Sequence, residues 1–441
     1  MFHQILEKLL SGEDLTRPQI EAALEASGAL PSDIQLAGLL TALDMKGMTK
    51  IEREAFENWE RQQNGAKIDP DKGTTQSDAM ILCSTERLVA AHMIVTNGDD
   101  LTRREADAAM EDILSDRAQD VEVASFLTAL RFKGETVDEL VAFATVMRRH
   151  APRIFADGHP IAEEGLVDTC GTGGDALGTF NISTATAFVV AGAGVRVAKH
   201  GNRSQTSLCG SADVLEQLGM RIDLPPERVA QAIEQVGIGF LFAPAMHSAT
   251  RHVAKVRREL GIRTVFNLLG PLTNPARASA QVVGVYDAGA TELMAQALGE
   301  LGVKRAFVVH GEDGLDEISI SGATYVSELR DGAVHTYTVV PEDFGVSRSP
   351  LTAIRGGDSK QNSEIIRRIL DGALRDPEPS PHRDIALANA SAALVAAGRA
   401  ADFREGVRIA CESIDSGSAR EKLENLIAFS QRKDHCAKPA P

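Results

Sequence analysis

Residues 166–175 read LVDTCGTGGD, an apolar run that stops at Gly171, Thr172, Gly173, Gly174 and Asp175. An apolar run broken by clustered glycines predicts a strand entering a turn. Glycine adopts positive φ and lets backbone approach an anion closely. Successive N–H groups in such a turn form an anion-binding concavity. The text continues TFNISTATAFVVAGA, so Thr179, Asn181, Ile182, Ser183 and Thr184 open an apolar helix. Hydroxyls and free N–H groups at a helix start suit a phosphate. The same grammar recurs downstream. Residues 187–198 hold a helix end and a strand, and residues 280–286 and 304–310 read as strands with a helix between them. Strand–helix alternation of this kind predicts an α/β fold with a mostly parallel central sheet.

Upstream the grammar is purely helical, and it occurs twice. Asp14-Leu15-Thr16-Arg17 returns as Asp100-Leu101-Thr102-Arg103. Leu40-Thr41-Ala42-Leu43, Lys46-Gly47 and Thr49 return as Leu127-Thr128-Ala129-Leu130, Lys133-Gly134 and Thr136. An offset of about 86 held over so many positions predicts a duplicated helical unit. The expected organisation is an extra helical repeat at 1–61, a polar linker at 62–79 and a helical domain at 80–155. That domain takes in an excursion near 245–265, and an α/β catalytic domain covers 156–441. After Pro381, Ala-rich helices return.

The chain has 441 residues and a net charge of −16. So acidic a chain is not expected to bind nucleic acid generally, because such binders need a basic face. Five scattered cysteines with no C-x-x-C predict free thiols in a reducing compartment. No apolar run reaches the ~20 residues of a membrane span. The start, residues 1–10, carries Glu7 and Lys8 and reads as an amphipathic helix rather than a signal peptide. A cytoplasmic protein without membrane contact is expected.

Three further stretches carry chemistry. Lys199, His200, Gly201, Asn202, Arg203, Ser204, Gln205, Thr206 and Ser207, then Ser211, follow the strand GVRVA. They stand at the strand end where open α/β sheets place ligands, and Ser211 is also expected to cap the helix it starts. Asp316-Glu317 follow the strand AFVVH, and paired carboxylates there suit magnesium bridging to phosphates. Glu312 and Asp313 read as turn residues. In HVAKVRREL, Arg257 or Arg258 can clamp a carboxylate, while His247 and His252 read as packing or pocket-wall residues. Each stretch taken alone also fits a solvated loop or an exposed helix face.

Together, GTGGD, TFNIST, KHGNR, VRRELGIRTVFNLLGPLTNP and DGLDE resemble the anthranilate phosphoribosyltransferase family over about residues 85–430. The resemblance implies a nucleoside phosphorylase class II-like fold, with a small all-helical domain and a large α/β domain. It implies transfer of phosphoribosyl from 5-phosphoribosyl 1-pyrophosphate to the amine of anthranilate, in tryptophan biosynthesis. The phosphoribosyl substrate would lie on Gly171, Gly174, Asp175, Thr179, Asn181 to Thr184, Lys199 to Ser207, and Ser211. Anthranilate would meet Gly171, Asn202 and Arg257. Ser183, Asp316 and Glu317 would hold Mg2+, two ions per site. Thr206, Leu208-Cys209 and Ser248 depart from the family's usual residues and put only fine contacts in doubt. The larger departure is the first helical copy, which the family does not normally carry.

Family members usually dimerise through the helical domain, so a homodimer is expected, with the first copy enlarging the interface rather than covering it in cis. Two other readings stay open. A pyrimidine nucleoside phosphorylase of the same fold would show a K-x-S-G-R-G stretch where this chain has KHGNR. A non-catalytic, nucleic-acid-binding relative would bind DNA in a salt-dependent way without turnover.

Overall fold

The computed structural model describes residues 1–24, 30–63, 86–173, 177–204, 208–372 and 380–432. Two compact units result: Met1–Met147 with Ala249–Leu269, and Arg148–Ser248 with Gly270–Pro441. Most of the sequence-derived linker, and Gly174, Asp175, Gln205, Thr206 and Ser207, lie outside the described residues.

The helical unit contains both copies. The first has α1 (Phe2–Leu10), α2 (Arg17–Leu24), α3 (Asp33–Lys46) and α4 (Lys50–Gln63). The second has α5 (Glu86–Thr96), α6 (Arg103–Leu114), α7 (Asp120–Lys133) and α8 (Val137–His150). A helix at Arg251–Leu260, here the VRREL helix, completes the unit. The repeat extends to individual side chains. Lys46 Nζ donates to Asp14 at 2.7 Å and to Glu52 at 2.9 Å, and Lys133 Nζ does the same to Asp100 at 2.7 Å and Glu139 at 3.1 Å. Glu52 also takes the N–H groups of Leu15 and Thr49, and Glu139 those of Leu101 and Thr136. A buried carboxylate needs such a full set of donors, and this one ties the loop before the second helix to the start of the fourth. The first copy, which the sequence suggested as a separate repeat, falls in the same compact unit as the second, with α3 packed along α7.

The α/β unit is built on a seven-stranded sheet of order β3-β2-β1-β4-β5-β6-β7. These strands are β1 (Val167–Gly171), β2 (Val197–Gly201), β3 (Ile238–Phe242), β4 (Ala280–Gly284), β5 (Arg305–Gly311), β6 (Thr324–Arg330) and β7 (Ala333–Val339). The first five are parallel, and β6 and β7 are antiparallel. Asp331 (φ 52°) and Gly332 (φ 76°) turn the β6–β7 hairpin, as an Asp-Gly pair with positive φ at both positions does. The helix Ile182–Gly192, the NIST helix, is apolar on nearly every side and buried. It packs against the C-terminal helices Pro381–Ala396, Phe403–Asp415 and Ser418–Gln431. The last of these also reaches the outer side of the sheet, where Lys422 Nζ donates to the Val236 carbonyl at 2.6 Å.

Strand order reverses between β1 and β4. Chain leaving β1 turns one way to β2, while β4 lies on the other side, which opens a crevice at the carboxyl ends of these strands. The GTGG turn leaves β1 at that point.

Candidate active site

Two backbone hydrogen bonds hold the turn after β1. Thr172 N donates to the Gly284 carbonyl at 2.8 Å, and Gly173 N donates to Asp316 Oδ2 at 2.9 Å. Gly173 sits at φ 68°, which a side chain disfavours. Gly171 and Gly284, register partners on β1 and β4, both leave room for Asp316. A Cβ on Gly171 would stand 2.5 Å from Asp316 Oδ2, and one on Gly284 would stand 1.5 Å from the Asp316 carbonyl oxygen. The segment carrying Asp316 and Glu317 therefore crosses the ends of β1 and β4, its backbone against Gly284 and the Asp316 carboxylate against Gly171.

Glu317, the next residue, accepts from Ser183 N at 3.0 Å. Ser183 is in the first turn of the NIST helix, and its Oγ accepts from Lys199 Nζ at 3.2 Å. Thr184 Oγ1 bonds to Ser211 Oγ at 3.2 Å. Thr179 bridges to Arg355, and Asn181 is fixed by Cys209 O and by Asn362, each at 3.0 Å. Ile182 is buried and contributes its backbone, donating to Phe180 O at 2.8 Å. Thus β1, the NIST helix, β2 and the segment after β5 bring Gly171, Ser183, Thr184, Lys199, Ser211, Asp316 and Glu317 to one edge of the sheet.

Several residues of the KHGNR stretch have partners within the protein. The Arg203 guanidinium is engaged by Asp213 at 2.9 Å and by Glu216 at 2.6 and 2.8 Å. The His200 ring contacts the Gly270 carbonyl at 3.2 Å and lies 5.1 Å from the His247 ring. Lys199 is buried beneath the turn, with its ammonium 2.7 Å from the Thr169 carbonyl. Burial pushes its pKa below the ordinary amine range, against the opposing charges of Asp168 and Glu317. Burial likewise lowers His200 to about 3 and His247 to about 4, so both rings are neutral at pH 7. Ser211 is not a cap. The N-cap is Gly210, because Asp213, in the first turn of the helix Ser211–Gln217, accepts from Gly210 N at 2.9 Å and Ser204 N at 3.1 Å. Asn202 shapes the same loop, its carbonyl taking Ala212 N at 3.1 Å. Asp313 is a turn organiser, bound by Ser319 Oγ at 2.6 Å and Leu315 N at 3.2 Å.

Sequence reasoning passed over two residues. Asp168, fully buried on β1, accepts from His200 N at 3.1 Å and from Asn274 Nδ2 at 2.8 Å. Asn274 also donates to Ala198 O at 2.8 Å. Together they pin the start of the KHGN segment to β1. The signal was an aspartate inside an apolar strand, a residue type that strands rarely bury unpaired.

In the helical unit, Arg257 is partly buried on the VRREL helix, its guanidinium 5.5 Å from the Phe266 ring centre. Burial lowers its pKa. Arg258 beside it is exposed. His252 faces Asp116 at 3.1 Å.

A divalent cation fits what is present. The donor set is all oxygen: Asp316, Glu317 and the Ser183 hydroxyl. Among the described residues no group of three or more His, Cys, Asp or Glu forms a complete cage. Such an open set suits magnesium, which keeps waters and completes its shell with substrate phosphates.

Residues 163–420 match the family model described as "Glycosyl transferase family, a/b domain". Residues 3–56 and 93–151, one stretch in each copy, match "Glycosyl transferase family, helical bundle domain". The chain is 58% identical to anthranilate phosphoribosyltransferase of Symbiobacterium thermophilum, over 77% of this chain and 96% of that protein. The crystal structure of anthranilate phosphoribosyltransferase from Thermus thermophilus is similar at TM-score 0.72 and 44% identity, over 78% of this chain and 99% of that one. The Saccharomyces cerevisiae anthranilate phosphoribosyltransferase in complex with PRPP and Mg is similar at TM-score 0.71 and 29% identity, over 79% and 99%. Among the described residues no helix is long and apolar enough to cross a membrane.

Proposed function

The chain belongs to the anthranilate phosphoribosyltransferase family, and from that premise we propose how its own residues carry the reaction. The enzyme transfers the phosphoribosyl group of phosphoribosyl pyrophosphate to the amine of anthranilate, in tryptophan biosynthesis. The C1–N bond forms, the C1–O bond to pyrophosphate breaks, and the amine gives up one proton to solvent. A neutral aromatic amine is already a nucleophile, so the protein's task is to position two substrates and to stabilise a highly charged leaving group.

One observation supports this reading above the others: the glycine turn, the NIST helix start and the Asp316-Glu317 pair converge on one sheet edge, tied by the Gly173–Asp316 and Ser183–Glu317 hydrogen bonds. The turn and helix start offer the hydroxyls of Thr179, Ser183 and Thr184 to phosphate oxygens, while the N–H groups of Thr172, Gly173, Ile182 and Ser183 hold the turn and the helix start to protein acceptors. Asp316 and Glu317 would hold magnesium with Ser183, and two ions per site is the proposed stoichiometry. Magnesium, when bound, neutralises charge on the departing pyrophosphate. Lys199 adds positive charge from beneath the turn. Asn202 and Gly171 border the anthranilate, and Arg257 holds its carboxylate through a charged hydrogen-bond pair. The described cysteines, Cys170, Cys209 and Cys411, are free thiols, which supports a reducing, cytoplasmic setting.

The test mixes the protein with anthranilate, phosphoribosyl pyrophosphate and magnesium and follows loss of anthranilate fluorescence. Turnover that disappears without magnesium is expected. No loss of fluorescence at any magnesium concentration would overturn the reading.

A further inference from the structure

The first helical copy lies on an equivalent element of the second. α3 and α7 hold the same place in the repeat, and they pack against each other. Each is apolar on more faces than its own bundle uses. In α3, Ile34, Leu39, Ala42 and Leu43 are buried, and in α7, Val123, Phe126, Leu127 and Leu130 are buried. α1 covers one side of α3 and α5 covers one side of α7, and the remaining sides meet each other. Equivalent positions of the two copies carry small residues, Gly38 in α3 and Ser125 in α7. A Cβ on Gly38 would come within 3.2 Å of Thr128 Oγ1 and 2.6 Å of Leu260 Cδ2. Contact between equivalent helices of two like units is the arrangement of a two-fold interface, in which one patch fits a copy of itself.

The contact extends to the VRREL helix. Ser32 Oγ donates to Glu259 Oε2 at 2.6 Å, and Gln35 Nε2 donates to the Glu259 carbonyl at 3.3 Å. Lys255 on the same helix pairs with Asp120 at the start of α7 at 2.6 Å. The first copy therefore covers a surface shared by α7 and the VRREL helix.

We propose that this surface is self-complementary and that the first copy fills it in cis, so the full chain is monomeric, while a chain lacking α1–α4 pairs with a second copy of itself through α7. It is an alternative to the homodimer expected from the sequence. It does not depend on the proposed activity, because it rests on packing within the helical unit alone.

The test compares light-scattering masses of the full chain and of a chain beginning at Thr75. The shortened chain keeps the second helical copy and the α/β unit, and 77% of this chain matches 96% of a relative. Expected are one-chain mass for the full protein and twice the chain mass for the shortened one at tens of micromolar. A second variant keeps the full chain. Gly38→Leu drives a branched side chain into Thr128 and Leu260, should release the first copy, and should raise the mass towards twofold. A full chain that runs as a dimer overturns the proposal, as does a folded, shortened chain that stays monomeric. If the shortened chain does not fold, Gly38→Leu decides alone, and an unchanged one-chain mass overturns the proposal.

Discussion

Replacing Gly171 by alanine should disable the magnesium site without unfolding the protein. The new Cβ would stand 2.5 Å from Asp316 Oδ2 and 3.2 Å from its Cγ. The atom in the way is the end of a side chain, so the carboxylate swings aside and the backbone stays in place. That motion breaks the 2.9 Å bond from Gly173 N and re-aims a proposed metal ligand. A hydrogen bond to a charged group contributes about 1.5–3 kcal/mol. Expressed in the transition state, that is on the order of a ten- to 150-fold loss of kcat/KM for phosphoribosyl pyrophosphate, with a higher magnesium midpoint. The assay is anthranilate fluorescence at graded magnesium, with thermal melting as the control for folding. The double variant with Asp316→Ala should lose little beyond Asp316→Ala alone, since the alanine acts through that carboxylate. A Gly171→Ala enzyme with kcat/KM within about threefold of wild type and the same magnesium midpoint would refute the reasoning, as would losses that simply add in the double variant.

Arg257→Ala should raise the anthranilate KM by roughly ten- to a hundredfold, the scale of a lost charged hydrogen bond, and leave the other KM nearly unchanged; equal shifts in both constants would remove Arg257 from the anthranilate contact. His200 and His247 are buried neutral, so the unfolded chain binds protons near pH 6.5 that the native state refuses. Stability from these rings is whole above pH 6.5 and falls with acidification towards pH 4, by up to about 1.4 kcal/mol per pH unit per histidine. Urea unfolding of His247→Asn should show a shallower fall, and an identical slope would contradict the assignment. Glu139→Ala strands the N–H groups of Leu101 and Thr136 and leaves the Lys133 ammonium with Asp100 alone, at a cost of about 3–5 kcal/mol. Glu52→Ala should cost a similar amount, and a loss below about 1 kcal/mol in either would show that the clasp is not structural.

The sheet and the phosphate turn were readable because each depends on neighbours in the chain: an apolar run, then glycines, then a Ser/Thr-rich helix start. The duplication was readable because it is a comparison of the chain with itself. Asp168 was not, because its reason is Asn274, which lies over a hundred residues away. The direction of Arg203 was hidden for a similar cause, since KHGNR reads as a basic loop until Asp213 and Glu216 fold back on it. The β6–β7 hairpin had its signal in Asp331-Gly332 between two β-rich runs, a cue that the strand–helix alternation around it masks. The docking of α3 on α7 could not be read from periodicity. An all-round apolar helix states that it will be covered, not by what.

The packing of the NIST helix sets a timetable for synthesis. Its Gly192 has no room for a side chain because the Ala419 backbone would lie 2.6 Å from a Cβ, yet Ala419 leaves the ribosome about 230 residues later. At roughly 5–20 residues per second, the most apolar helix of the α/β unit waits on the order of 10–50 s for the segment that seals it. Until then the nascent chain carries an uncovered oily rod beside the crevice that will hold polyphosphate. A chain released before Ser418 should therefore be trapped by holding chaperones or aggregate, although every residue assigned to the site has already been made.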